Sequence, residues 1–416
     1  MLELLTIGAV TLLAGATAQP LEGVDWREQE THLRDAMQLT TRDRFLKAGE
    51  AYFSPDGRWV IFQAVVAPPK GAAPDPAAGY SMYVARLERE SLGDGKWGAV
   101  RGLGTPVKVS PEGSINTCGW FHPTIPGRAI FGSTLTAPTP SEKPGFQVGT
   151  NRYVWAFPDE MEVVETWVSP VFEEDFARRQ ENARRNNFAV DRAPTLDTTP
   201  KPIFARPGYD AECSYSPDAR FVLYAHVEPA AEGAKPDADI WVYDTQTKTQ
   251  TPVVKAPGYD GGPFFSPDAK WICYRSDRKG DDKLQLFVAE LKYENGAIAG
   301  IEKEYQLTSG EDVNWCPFWH PSGKFMVYAT SAVGHANYEV FSIGVDTEAL
   351  KRGEKPMAPE RVTHAPGADV LPVFSADGKL MMWTSQRGPK IDGEQKPSSQ
   401  LWIAEWIDPT DAKPVQ

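Results

Sequence analysis

One short phrase organises this 416-residue chain. It is clearest at Ser54-Pro55-Asp56-Gly57, inside Ala51-Tyr52-Phe53-Ser54-Pro55-Asp56-Gly57-Arg58-Trp59-Val60-Ile61-Phe62. A strand arrives on an aromatic residue, the chain reverses, and a strand of Trp, Val, Ile and Phe leaves. Proline fixes φ in the reversal, and Asp-Gly supplies its positive-φ position. Copies follow at Ser216-Pro217-Asp218-Ala219, Ser266-Pro267-Asp268-Ala269, His320-Pro321-Ser322-Gly323 and Ser375-Ala376-Asp377-Gly378. A sixth, with two extra turn residues, lies at Phe121-His122-Pro123 before Gly127 to Phe131.

Between equivalent serines or histidines the spacings are 68, 94, 50, 54 and 55 residues. A basal unit of about fifty residues is the size of a four-stranded antiparallel module, and six such modules predict an all-β, six-bladed β-propeller. The third unit shows the template, with strands at 211–216, 220–225, 239–243 and 250–254. The fourth places its third and fourth strands at 284–289 and 304–307. Third strands elsewhere fall at 80–85, 153–157, 338–343 and 401–406. The last has no fourth strand after it, whereas residues 36–40 resemble 305–308. An N-terminal strand is therefore expected to complete the final blade, which removes the exposed sheet edges.

This gives a leader at 1–18, an N-terminal segment at 19–35, a propeller at 36–406 and a tail at 407–416. An insertion at about 159–200 carries Phe172-Glu173-Glu174-Asp175-Phe176 and a basic end at Arg184-Arg185, which favours a helix. It is expected to cap a blade or to dock a partner. Pro- and Ala-rich loops at 67–79, 135–150, 228–238 and 388–399 share the opposite face.

A net charge of -13 and a pI near 5.1 argue against binding nucleic acid or an anionic membrane surface. Residues 4–16 are apolar, and Ala16-Thr17-Ala18 precedes Gln19 in the form of a cleavage site, so the leader reads as an export signal. No later stretch is suited to crossing a membrane, and the expected location is periplasmic or secreted. Cys118, Cys213 and Cys316 occupy nearly equivalent places in separate repeats, so the four cysteines are expected as free thiols.

Six residues ahead of the turn, five repeats carry Asn116, Asp210, Asp260, Asn314 and Asp369. The first has Ala48 there, with Glu50 two residues on, and Glu212 stands at the matching place in the third. As the starts of innermost strands, these residues would ring one mouth of the central channel. Converging carboxylates would attract a basic ligand or a cation such as calcium. The alternative is local: Asp and Asn shape the link into the strand. Ser54, Asp56, Ser216, Asp218, Ser266, Asp268 and Asp377 are read as turn-builders. No HExxH, GxSxG, P-loop or dinucleotide fingerprint occurs, so no catalytic residue, metal ligand or cofactor is assigned.

The repeated aromatic-Ser-Pro-Asp-Gly-Lys-aromatic phrase, at Ser54 to Phe62, Ser216 to Tyr224, Ser266 to Tyr274, His320 to Tyr328 and Ser375 to Trp383, resembles the TolB-like propeller repeat. The resemblance spans about residues 36–406. It implies a periplasmic protein that binds an envelope partner, although the N-terminal α/β domain of TolB has no counterpart here. The same repeat type caps serine peptidases of the prolyl oligopeptidase class, whose hydrolase domain is also missing. The expected function is a non-catalytic envelope scaffold for a protein, peptide or glycan. The alternative is a lyase or hydrolase acting on an extracellular polymer at the channel mouth.

Overall fold

The computed structural model describes residues 25–69, 71–72, 78–93, 96–139, 145–147, 152–154, 157–189, 192, 194–229 and 236–408. Residues 1–24, on which the expected leader falls, the tail beyond 408 and parts of the Pro- and Ala-rich loops lie outside the described residues.

The turn phrase works through side-chain contacts confined to six residues. In the third repeat Ser216 Oγ donates to Asp218 Oδ1 at 2.6 Å and accepts from the Phe221 N–H at 2.9 Å. Asp218 Oδ1 in turn accepts from the Arg220 N–H at 3.1 Å. The pairs Ser54–Asp56, Ser266–Asp268 and Ser375–Asp377 repeat this at 2.6, 2.6 and 2.7 Å. In the histidine copies the imidazole takes over as acceptor. His122 Nδ1 receives the Thr124 and Ile125 N–H groups at 3.2 and 3.0 Å. His320 Nδ1 receives the Ser322 N–H at 3.1 Å.

Each turn joins the innermost strand of a blade to the next one outward. The N-terminal segment carries α1 (Trp26–Gln29) and β1 (Leu33–Gln38). Blade 1 contains β2 (Phe45–Phe53), β3 (Trp59–Val66), β4 (Ser81–Gly93), its hairpin partner β5 (Lys96–Leu103) and the outermost β6 (Val107–Lys108). Blade 2 contains β7 (Asn116–Phe121) and β8 (Arg128–Ser133), then a separate hairpin of β9 (Gly145–Gln147) and β10 (Arg152–Val154). It resumes with β11 (Glu162–Trp167), α2 (Ser169–Arg185) and β12 (Lys201–Pro202). Blade 3 is β13 (Tyr209–Tyr215), β14 (Phe221–Val227), β15 (Ala238–Asp244) and β16 (Gln250–Val254). Blade 4 is β17 (Asp260–Phe265), β18 (Trp271–Ser276), β19 (Gln285–Glu294) and β20 (Ala297–Gln306). Blade 5 is β21 (Asn314–Trp319), β22 (Phe325–Thr330), β23 (Glu339–Gly344), α3 (Thr347–Lys351) and β24 (Glu360–Arg361). Blade 6 is β25 (Asp369–Phe374), β26 (Leu380–Ser385), β27 (Gln400–Trp406) and, as its outer strand, β1.

The protein is thus a six-bladed β-propeller closed by its N-terminal strand. β1 runs antiparallel to β27, from Leu33 opposite Trp406 to Gln38 opposite Trp402. A buried ion cluster reinforces the joint. Arg387, with no side-chain exposure, reaches Glu30 at 2.9 Å and Asp369 at 2.7 Å. The rings of Trp26 and Trp383, each 4.9 Å away, pack on its guanidinium.

The core lies between adjacent blades. Second strands are buried on both faces, as β14 is at every residue, so they read as continuous apolar runs instead of alternating ones. All four cysteines are buried and free.

The third strand of blade 2 corrects an expectation. Residues 153–157 were expected there, but β11 at Glu162–Trp167 pairs with β8, from Glu162 opposite Ser133 to Trp167 opposite Arg128. The aromatic run has strong strand propensity, yet its first part, in β10, pairs with β9 outside the blade. Val163 and Val164, both fully buried, are the residues that fill the blade. The insertion after the third strand therefore shrinks to α2 and its flanks. Phe172 of α2 packs on Gly127, while Glu174 pairs with Arg58 and, at 3.1 Å, with Arg86 of blade 1. The helix caps the seam between blades 1 and 2.

Candidate functional site

Two residues beyond Ala48, Asn116, Asp210, Asp260, Asn314 and Asp369, the backbone adopts a left-handed conformation. Glu50, Cys118, Glu212, Gly262, Cys316 and Leu371 have φ of 43°, 52°, 56°, 58°, 48° and 56°. Strand register shifts at this point in all six blades. Such bulges re-aim a side chain, and for a non-glycine residue the left-handed backbone costs about 1–2 kcal/mol. Five blades accept that cost. The re-aimed groups make contacts from blade to blade around the axis. Cys118 Sγ donates to Glu50 Oε1 at 2.7 Å, Glu212 accepts the Gly262 N–H at 2.5 Å, and Cys316 Sγ accepts the Leu371 N–H at 3.2 Å.

Blade 4 shows how the sequence permits this. Gly261 and Gly262 follow Asp260 directly; at these two places the other blades carry side chains except for Gly49 of blade 1. A Cβ on Gly262 would lie 2.2 Å from Arg275 Nη1, and one on Gly261 would lie 2.3 Å from Tyr259 Oη. The two glycines make room for Arg275 and Tyr259 to reach Glu212. Glu212 accepts from Tyr259 Oη at 2.5 Å and from Arg275 Nη2 at 3.1 Å, with both charged side chains 10% exposed. Arg275 Nη2 also donates to Tyr259 Oη at 2.7 Å.

Glu50 has no guanidinium of its own. Its carboxyl receives the Cys118 thiol, the Thr117 hydroxyl at 3.2 Å and the Tyr52 hydroxyl at 3.4 Å. Burial raises its pKa and the Glu212 charge adds to that, while the hydrogen bond from Cys118 and the more distant Arg275 oppose it. Burial and both carboxylates push the Cys118 thiol well up, so it is a hydrogen-bond donor and not a thiolate nucleophile. Two carboxyls thus sit in contrasting settings, one ion-paired and one biased toward its protonated form. Contrasting settings of this kind are what acid–base pairs use.

Below this ring, four aromatics close the channel. Tyr52, Trp120, Phe264 and Phe318 stand two residues beyond the bulge in their strands, with ring centroids 4.9–6.4 Å apart. A void of about 10 Å³, lined by Glu50, Cys316, Leu371, Tyr52 and Phe318 among others, separates ring and plug. That is room for about one water molecule. On the far side of the plug, the mouth ringed by the Ser-Pro turns opens as a funnel of about 340 Å³.

The structure does not gather the five strand-start residues; it ties each to its own neighbours. Asn116 donates to the Tyr80 carbonyl at 3.0 Å, and Asn314 to Gln285 at 3.1 Å. Asp210 pairs with Arg206 at 3.1 Å and with His226 at 2.8 Å. Asp260 pairs with Arg278 at 3.2 Å, and Asp369 with Arg387. All five are buried. Their oxygens are spent locally, so a shared calcium site at the mouth finds no support, and among the described residues no three His, Cys, Asp or Glu side chains could hold a metal ion. Glu50 and Glu212, two residues past the strand-start place, are the two carboxyls that the bulges carry.

Sequence reasoning missed Arg275, Tyr259, Cys118 and Tyr52 as channel groups. One signal was present. Arg275 stands in an apolar second strand where other repeats have Gln63, Ala225, Ala329 and Thr384, and it lies opposite Gly261.

No protein-family model matches this chain, and no curated protein does. Solved propellers do. TolB from Acinetobacter baumannii is 14% identical with a TM-score of 0.45, covering 86% of this chain and 79% of that one. An oligogalacturonate lyase from Vibrio parahaemolyticus is 10% identical with a TM-score of 0.45, covering 91% and 94%. A puromycin-hydrolyzing peptidase from Mycobacterium tuberculosis is 12% identical with a TM-score of 0.44, covering 89% and 46%. At such identities the likeness is one of fold.

Proposed function

We propose that this protein is an enzyme, a lyase or hydrolase of an extracellular polymer, with its acid–base groups in the axial channel. The observation that carries this reading is the contrast between Glu212 of blade 3, held by Arg275, and Glu50 of blade 1, bonded by the neutral donors Cys118, Thr117 and Tyr52. Glu212 is the fixed anion. Its three donors hold its orientation, and Arg275 balances its charge, so it can steady positive charge or accept a proton at one position. Glu50 is the proton donor. Burial favours its protonated form, and the Cys118 and Thr117 contacts hold its carboxyl toward the space above the plug. In hydrolysis the attacking water gives its hydroxyl to the cleaved bond and its proton to Glu212 while Glu50 protonates the leaving oxygen, and return of that proton through solvent resets the pair.

The rigid backbone supports such chemistry, because groups from several blades are fixed without a moving lid. Among the described residues no helix is long and apolar enough to cross a membrane.

The test is product release from a panel of envelope polymers, including peptidoglycan, acidic polysaccharide and peptide, measured with wild type and Glu50→Gln. Loss of release by about 100-fold or more, with the melting temperature retained, is the expected outcome, a size typical of removing a general acid. If both proteins retain a polymer equally and neither cleaves it, the scaffold reading replaces this one.

A further inference from the structure

The funnel at the turn-bearing mouth lies on the face opposite the Pro- and Ala-rich loops, and the acid–base reading makes no use of it. Its wall repeats with the fold: Phe53, Phe121, Tyr215, Phe265, Trp319 and Phe374 all immediately precede a turn. Five of these are buried between blades, so packing accounts for the wall. The floor is different. Tyr52, Trp120, Phe264 and Phe318 occupy a position that blades 3 and 6 fill with Ser214 and Val373. The architecture therefore accepts a small side chain there, and the four large rings answer to something other than the blades.

We propose that the funnel binds an uncharged small molecule that carries an aromatic ring. Its volume of about 340 Å³ falls within the range of about 300–1,000 Å³ usual for small-ligand pockets. Every lining residue is uncharged, in a chain whose net charge is -13. A charged ligand would lose its hydration there and gain no partner. The floor rings are inclined to one another by 36–62°, which offers both faces and edges to an incoming ring. They also touch one another and so form a platform. A cage for a quaternary ammonium would need its rings held apart around the cation.

The test is a titration of the full chain with N-phenyl-1-naphthylamine, an uncharged aromatic probe that brightens in apolar surroundings. Saturable binding of one probe per chain is expected, displaced by indole. Phe318→Ala should weaken it by at least about tenfold. Ala376→Arg, at an exposed rim position, puts a charge at the mouth without disturbing packing and should weaken it similarly. Probe affinity is read without turnover, so failure here is distinct from failure of the catalytic reading. Non-saturable uptake, or binding indifferent to Ala376→Arg, would overturn the proposal. So would displacement of the probe by tetramethylammonium more readily than by indole. Tighter probe binding after removal of residues 409–416 would also overturn it, in favour of occupation by the chain's own tail.

Discussion

Two buried clusters in this propeller have the same inventory, two carboxyls and one arginine, and put it to opposite uses. At the closure, Arg387 is shared by both acids: Glu30 takes two of its N–H groups at 2.9 Å, and Asp369 takes another at 2.7 Å. The remaining acceptors are filled as well. The His364 N–H reaches Glu30 at 2.8 Å, the Trp383 indole reaches Asp369 at 3.2 Å, and Arg387 Nε donates to Ser385 at 3.1 Å. In the channel, Arg275 serves one carboxylate, Glu212, and the Tyr259 hydroxyl, its Nε is buried without a partner among the described residues, and Glu50 is left with a thiol and two hydroxyls. A fully satisfied cluster fixes geometry. An under-satisfied one carries free energy that folding alone does not explain, and such sites concentrate where chemistry occurs.

The comparison can be broken most decisively by removing each arginine. Arg387→Met strands two buried carboxylates and should cost about 3–5 kcal/mol of stability, whereas Arg275→Met strands one and should cost about 1–3 kcal/mol. Urea denaturation of both variants checks this, and equal losses would remove the distinction.

Next in size is Gly262→Ala. Its Cβ would displace the Arg275 guanidinium at a left-handed position, so a loss of about 2 kcal/mol is expected together with loss of activity. At Gly57, also left-handed but with open space around it, the same change should cost about 1 kcal/mol and leave activity intact. Ala219 and Ala269 already occupy the equivalent turn position at φ of 63° and 57°.

The smallest effect concerns pH. Glu162 of β11 has a carboxyl raised to about 7 by burial and by the charge of Asp210. A carboxyl raised on folding binds its proton more tightly in the native state, so its contribution is present below the unfolded value and fades as pH climbs. Stability should fall from about pH 4.5 to about pH 7, by an amount on the order of 1 kcal/mol, and Glu162→Gln should flatten that slope. Glu50 and, at the closure, Glu30 are raised in the same direction by burial and should behave likewise.

The repeat made the propeller legible because the turn is self-contained. Ser–Asp contacts within six residues dictate it, and nothing distant needs to be known. The second-blade third strand was not legible. The aromatic run at 153–157 and the run beginning at Glu162 both suit a strand, and only pairing with β8 chooses between them. The channel ring was half legible. Position along the strand could be read from Asn116, Asp210 and their equivalents, but direction could not. A left-handed bulge two residues later re-aims the side chain, and Glu, Cys, Gly and Leu all occupy it, so composition gives no signal.

The pairing of β1 with β27 also sets an order of events. Arg34 and Glu405, bonded across that joint, are 371 positions apart in the chain. A strand made near the start must wait for one made near the end, and contacts of such long range form late and slowly. Until then β27 of blade 6 presents an unpaired edge, and the channel is an open arc without a common axis. Arg387 is therefore a latch that shuts last, and a damaged latch should show first as lingering, aggregation-prone intermediates during refolding.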